Sequence, residues 1–345
     1  MQQIDNLTGV RAFAALSVML LHVRYGRLAD EYGPVSFIFQ NRGLGVWVFF
    51  ILSGFILAYV HHRDFDGGMT MRKVASFLWA RLARIYPVHL FMLLLVAYAL
   101  PKLGVLGRTI HDTDFALAAN LLLVHGWGVV DNLTFNQASW SISTEWFAYL
   151  CFPALAFFTR YWRRAALVTL GIACIWISQE LPIDGVKHGW YALSCLLHFT
   201  LGFVAYRAGA NLPNGWPWRA GAIVLGPAIV FLFWLYPFIP DQFYYLFMAM
   251  TALLILCLFR AGPVFGFANP VSVYLGKVSY SLYMSHIITF VVLREVVRHG
   301  QPLPLWIELP AIILVAMALY HLVEQPARRW MLTLGQLRAR TAPAQ

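Results

Sequence analysis

The chain has 345 residues, 60% of them hydrophobic and only 12% charged, with a formal net charge of +10. A mean hydropathy of +0.67 is far from the balance of a water-soluble domain, so the sequence reads as an integral membrane protein and a soluble domain is excluded. In such a chain the positive excess reports membrane orientation and contact with the headgroups of the lipid bilayer, and no nucleic-acid partner is expected.

Ten apolar stretches are long enough to span a bilayer: 7–23, 43–60, 84–100, 145–159, 165–178, 190–207, 219–236, 242–259, 278–296 and 305–323. An eleventh, 114–125, is shorter and follows Asp112 and Asp114; it is expected to be re-entrant or interfacial. With both termini cytoplasmic, sixteen Lys and Arg fall in inner segments and eight in outer ones, as the positive-inside rule requires. Counting 114–125 as a span would throw the Arg160, Arg163 and Arg164 cluster outside. The expected fold class is therefore all-α, a bundle of about ten transmembrane helices. One transmembrane domain, 1–330, is followed by a short basic cytoplasmic tail, 331–345. No Lys or Arg precedes Arg11 and no small-residue cleavage site follows the first apolar run, so that helix is expected to be retained. Cys151, Cys174, Cys195 and Cys257 show neither paired nor metal-ligand spacing and read as packing residues. The longest outer segment, 101 to 144, is aromatic-rich and is expected to fold over a site.

The first span carries Arg11 and His22, where lipid alone admits no ionisable group. Eleven residues make almost three helical turns, so the two side chains share one face, offset by about 20° and about 16 Å apart along the axis. Such groups cost on the order of 2.5 kcal/mol or more to insert and point into a protein interior or a wet cavity. Arg11, in the cytoplasmic half, is a fixed cation; His22, near the outer end, is a proton carrier. The structural alternative is an arginine bonding helix ends and a satisfied core imidazole.

In the second span, Gly45 to Phe55, Ser53 and Gly54 let a neighbouring backbone approach closely. At the cytoplasmic start of the third, Arg81 and Arg84 face the same way and can grip phosphate oxygens, or can simply anchor the inner side. The fourth opens with Ser139-Trp140-Ser141-Ile142-Ser143-Thr144-Glu145. Ser143 or Thr144 can cap that helix and Glu145 suits its positive end. Alternatively Glu145, at about the depth of His22, orients the imidazole of a general base. On the ninth span Ser279, Tyr283 and His286 follow i, i+4, i+7 spacing, a polar stripe with a structural or substrate-lining role. His198, in the sixth span, has no companion motif and reads as a satisfied core histidine.

Arg11 with His22, Gly45 to Phe55, Arg81-Leu82-Ala83-Arg84 with Tyr86-Pro87, Trp140 to Glu145, Ser279 to Tyr283 with His286, and Glu324-Gln325-Pro326 together resemble the acyltransferase 3 family of bacterial membrane O-acyltransferases, from Ile4 to about Arg329. The resemblance implies transfer of an acyl group from an acyl-CoA, normally acetyl-CoA as co-substrate, to a hydroxyl of a cell-surface or lipid-linked saccharide acceptor at the bacterial inner membrane. It implies that the Arg11 and His22 positions are essential; no metal is expected to take part. Some relatives carry a soluble C-terminal esterase-like domain, and this chain is expected to lack one. On that basis His22 is general base or acyl acceptor, with Glu145 and Arg11 in support. Arg81, Arg84 and Arg11 bind the donor, and Ser53, Trp140, Ser279, Tyr283 and His286 line the substrate path. The rival class is a transporter of a lipid-linked sugar or organic anion. Against it stand the missing inverted repeat and the absence of matched Pro/Gly-broken helices in two halves. A sensor without chemistry would leave the Arg11–His22 alignment unused.

Overall fold

The computed structural model describes residues 2–24, 44–105, 107, 109–179, 189–235, 244–298 and 303–341. The outer-segment cations Arg27, Arg42, Arg108 and Lys187, and the last four residues of the predicted tail, lie outside them. Every regular element among the described residues is helical. Seven helices are long and apolar enough to cross a membrane: Ile4–His22, Leu44–Phe65, Met71–Lys102, Gln137–Thr159, Trp190–Gly209, Pro270–Val297 and Leu305–Gly335. Shorter apolar helices, Arg164–Ser178, Trp216–Leu232 and Tyr244–Arg260, stand at the other three predicted positions.

In chain order the helices are α1 (Gln2–Arg24), α2 (Leu44–His61), α3 (Met71–Leu94), α4 (Asp114–Leu121), α5 (Trp140–Thr159) and α6 (Arg164–Gln179). There follow α7 (Trp190–Gly209), α8 (Trp216–Leu235), α9 (Tyr244–Arg260), α10 (Pro270–Arg298), α11 (Leu305–Leu319) and α12 (Gln325–Thr341). Wide π turns extend α3 at Leu95–Ala99 and join α11 to α12 at Tyr320–Glu324. The second lies directly before Pro326, which lacks the N–H needed to close an ordinary turn there. Helix α12 runs unbroken across residue 331, where the sequence suggested that a tail begins.

Hydropathy located the spans but not their ends. Helix α3 starts at Met71, capped by Thr70, whose hydroxyl accepts the Lys73 amide at 3.4 Å. Arg72, Lys73 and Arg81 are polar yet good helix formers, so they lengthen the helix while lowering its apolar score. Arg81 and Arg84 consequently lie ten and thirteen residues inside α3, about 15 and 20 Å from its start, and not at its mouth.

Helix α4 has 8 residues, about 12 Å, too short to cross a bilayer. Its end meets α3 halfway along. The Tyr86 hydroxyl donates to the Leu121 carbonyl at 3.1 Å and His89 Nε2 to that of Asn120 at 2.9 Å. Tyr86 is 15 residues from Met71 and 16 from Lys102, so the segment abuts the middle of that long apolar helix, which favours the re-entrant of the two options left by the sequence. Backbone at that depth must be satisfied by protein, and side chains bind the following loop. Asn120 Nδ2 donates to Ala116 O at 2.9 Å and to Thr134 Oγ1 at 2.8 Å, and Asp112 accepts the Phe135 amide at 2.6 Å. Asn136 Nδ2 reaches Met284 O at 2.8 Å.

The chain divides into two compact units. The first comprises Met1–Arg63, Thr159–Gly185 and Leu193–Tyr283; the second, Asp64–Phe158, Val186–Ala192 and Met284–Gln345. In the first unit Asn6 clamps the start of α1 to the end of α9: its Nδ2 donates to Leu258 O at 2.8 Å and Gly262 O at 2.6 Å, and its Oδ1 accepts the Val264 amide at 3.0 Å. These ends share one side, as ten spans with an inner N-terminus require. Two of the inner cations also close helix ends. Arg207 donates to Thr159 O and Arg160 O at 3.2 and 3.1 Å, and Arg260 to Gly209 O at 2.8 Å.

Helices α2 and α7 cross at a reciprocal glycine contact. A Cβ on Gly54 would lie 1.8 Å from Phe199 O, and one on Gly202 would lie 1.8 Å from Ile51 O. The close approach expected at Ser53-Gly54 is thus backbone against backbone. Gly54→Val is expected to cost about 3 kcal/mol, since neither main chain can retreat without its partner contact. A thermal midpoint within error of the parent in detergent would contradict this.

Candidate active site

In the first unit, His22 Nδ1 lies 2.9 Å from Val18 O. A carbonyl can only accept, so Nδ1 carries the proton and Nε2 carries the basic lone pair. The helix itself therefore fixes the tautomer. Arg11, half-buried, directs Nε to Ser279 Oγ at 3.4 Å and holds Cζ 6.0 Å from the Phe49 ring centroid. Ser279 Oγ donates back to Gly276 O at 2.8 Å, and Phe49 meets Tyr283 edge-on at 6.1 Å between centroids. Arg11, Ser279 and Tyr283, predicted from two motifs far apart in sequence, thus come together on α1 and α10. Ser53, on α2, belongs to the same unit and is half-buried. His198 is a satisfied core residue: its Nδ1 donates to Ser194 O at 2.6 Å, its Nε2 faces the Tyr244 hydroxyl at 2.5 Å, and Trp47 stacks on its ring.

In the second unit the predicted caps are displaced. Because α5 begins at Trp140, Ser143 and Thr144 are inside it, and the side-chain cap lies earlier, at Asn136, whose Oδ1 accepts the Ala138 amide at 3.3 Å at the start of the 3-10 turn Gln137–Ser139 that leads into α5. Ser143 instead holds the preceding loop. Its Oγ accepts the Gly126 amide at 2.8 Å and donates to Leu123 O at 2.7 Å, while Trp127 Nε1 donates to Ser143 O at 2.8 Å. The serine-rich motif therefore pins the re-entrant loop to α5. Leu123 and Phe135, on either side of the loop's first turn, take positive φ of 59° and 51°, a strain these contacts must hold. Trp140 packs on Tyr191 at 4.4 Å between ring centroids, and His286 is fully buried on α10.

Glu145 likewise sits past the first turn of α5, where it accepts the Tyr149 hydroxyl at 2.6 Å. Arg81 has Tyr149 and Glu145 among its electrostatic neighbours. His22 belongs to the first unit and Glu145 to the second.

The arginine pair differs from a free phosphate grip. Arg84 is ion-paired with Glu324, which is 1% exposed and ends the π turn before α12. Arg81 lies over the Phe77 ring at 5.8 Å, and its Nε–H, buried, finds no acceptor among the described residues. Trp79 Nε1 donates to Met331 O at 2.8 Å, fastening α3 to α12. Sequence reasoning passed over two features here. Glu324 registered only as a motif residue, although a buried carboxylate in a chain this poor in acids demands a cation. His89 and His125, stacked at 5.7 Å with 6° between ring planes, were hidden because 36 residues separate them.

The helical bundle thus carries an Arg–His face on its first helix and two half-buried arginines on its third. The profile described as an acyltransferase domain matches residues 4–322, so this is a multi-pass membrane enzyme, an O-acyltransferase that moves an acyl group from a donor to an acceptor. The chain belongs to the acyltransferase 3 family. It is 28% identical over 324 residues to Acyltransferase MdmB of Streptomyces mycarofaciens, covering 85% of this chain and 79% of that protein. It is 25% identical over 370 residues to Putative O-acetyltransferase SACOL0978 of Staphylococcus aureus (strain COL), covering 95% of this chain but 58% of that protein, so it spans little more than half of the staphylococcal relative. It is also 31% identical over 175 residues to Protein 2 in picA locus of Rhizobium radiobacter, covering 47% of this chain and 83% of that protein. No solved structure matches.

Proposed function

We propose that the protein transfers an acetyl group from acetyl-CoA to a hydroxyl of a cell-surface or lipid-linked saccharide, in the bacterial inner membrane, with residues 1–330 as the catalytic membrane domain. The observation that carries this reading is the bond from His22 Nδ1 to Val18 O, which leaves Nε2 as the base. The word O-acetyltransferase in the staphylococcal relative's name supports an acetyl donor.

In direct transfer, Nε2 takes the acceptor's hydroxyl proton as that oxygen attacks the thioester carbonyl. The tetrahedral adduct then collapses, the C–S bond breaks and the thiolate takes the proton from the imidazolium. In the two-step alternative Nε2 itself attacks the thioester carbonyl, the C–S bond breaks, the thiolate takes the Nδ1 proton of the acyl-imidazolium and leaves as thiol, and the acceptor hydroxyl then takes the acyl group while its proton returns to the imidazole. Arg11, on the face of α1 that carries His22, supplies fixed positive charge, and Ser279 and Tyr283 steady it. Arg81 faces the donor's phosphates from the cytoplasmic side. Glu145, with Tyr149 and Arg81 as its neighbours, supports the site, and its pairing with His22 belongs to the proposal.

Purified protein, acetyl-CoA labelled in the acetyl group and the lipid-linked saccharide fraction of a bacterial membrane provide the test. Label is expected in the saccharide, with release of CoA thiol. Uptake of labelled saccharide into proteoliposomes without acetyl-CoA consumption would instead mark a transporter.

A further inference from the structure

The second unit holds a charge imbalance that the two motif arginines do not explain. Glu324 and Arg328 are four residues apart, so they lie on one face where the π turn passes into α12. Arg81 and Arg84, three apart on α3, lie on one face of that helix. The Trp79–Met331 bond fixes the two helices two residues before Arg81 and three after Arg328. At Gly335 a Cβ would lie 2.6 Å from the Trp79 indole, so the helices are in close contact there too.

The result is three guanidiniums in mutual electrostatic reach: Arg328 senses both Arg84 and Arg81 as like charges, and Glu324 as an opposite one. Glu324 is committed to Arg84, and Glu145, which also reaches Arg81, accepts from Tyr149. Among the described residues three cations thus face two carboxylates, and Arg81 and Arg328 each keep a buried Nε–H with no acceptor there. Like charges this close, with donors left over in a low-dielectric setting, are stabilised by an anion that brings several oxygens. Resting on the donor reading above, we infer that Arg328 is the third cation of a site for the phosphate-bearing end of acyl-CoA, and that Glu324 positions Arg84 within it.

The inference carries a specificity. A donor presenting several phosphates engages three guanidiniums, whereas one with a bare pantetheine end engages none. The same phosphate chemistry could come from an anionic lipid headgroup, so the test separates the two. Full-length protein in neutral phosphatidylcholine nanodiscs is assayed for equilibrium binding of labelled acetyl-CoA and of S-acetylpantetheine. Arg328→Gln is expected to weaken acetyl-CoA binding roughly tenfold or more, as loss of a charge-assisted phosphate contact does, and to leave S-acetylpantetheine unchanged. Acetyl-CoA affinity within about twofold of the parent in that variant overturns the inference while the donor reading stands. No acetyl-CoA binding by the parent protein overturns both. Adenosine 3′,5′-bisphosphate should displace acetyl-CoA from the parent, and less well as salt rises; no displacement overturns the inference even if the variant does not fold. Loss of phosphatidylglycerol retention by Arg328→Gln, with acetyl-CoA affinity intact, would assign the arginines to lipid.

Discussion

His22→Ala is expected to lower acyl transfer by about a thousandfold, the middle of the range for a positioned general base, while folding and membrane insertion persist. The substitution removes a partly buried polar ring and leaves an apolar helix surface behind, and the Val18 carbonyl that loses the imidazole lies within α1 itself. His22→Gln sharpens the reading, because it keeps polarity but offers no titrating nitrogen. In the parent protein the rate should fall as the imidazole is protonated at low pH, and in any residual activity of the variants that limb should vanish. Transfer at near parental rate in His22→Ala would move the chemistry elsewhere. Trapping of labelled acetyl on His22 in the absence of acceptor would select the two-step route, and its loss in the variant would locate the group.

The second large effect falls on stability. Arg84→Ala removes the ion-pair partner of Glu324, a carboxyl group only 1% exposed. Breaking a buried ion pair from one side costs about 3–5 kcal/mol, against near neutrality when both partners become well-packed apolar groups. Arg84→Ala should therefore behave as a folding lesion, whereas Arg81→Ala, which breaks no ion pair among the described residues, should act mainly on KM. Paired replacement Arg84→Met with Glu324→Leu should restore the thermal midpoint without restoring donor affinity. Equal midpoints for Arg84→Ala and Arg81→Ala would contradict the assignment. The motif spacing predicted equivalent roles for these two arginines; the carboxylate 240 residues later separates them.

What the sequence revealed and what it hid follow from the range of each signal. Hydropathy is summed over a window the width of a bilayer, so the ten predicted stretches fall on seven helices long and apolar enough to cross and three shorter apolar ones, and 114–125, which charge asymmetry sets apart, holds a helix of 8 residues, too short to cross. Helix ends were not legible, because polar helix formers such as Arg72 and Lys73 carry α3 beyond its apolar part. Arg11 and His22 stood out through one helix's own geometry, and the approach at Gly54 through residue size alone. The capping role expected of Ser143 failed for a different reason. A serine near a helix start caps it unless a nearer residue does, and Asn136 begins the turn that leads into α5. Which carboxylate meets which arginine is a tertiary fact, and only the facing of α3 on α12 reveals it.

The crossing of α2 on α7 bears on how the molecule can move. Two helices meshed main chain to main chain, each glycine seated on the other's carbonyl, can neither slide by a residue nor roll, because either motion drives a side chain into that carbonyl. Alternating access by rocking helices relies on interfaces that shear. This one behaves as a rivet. Whatever opens to admit substrates must leave it in place, so α2 and α7 shift as one piece and any shear falls at other interfaces.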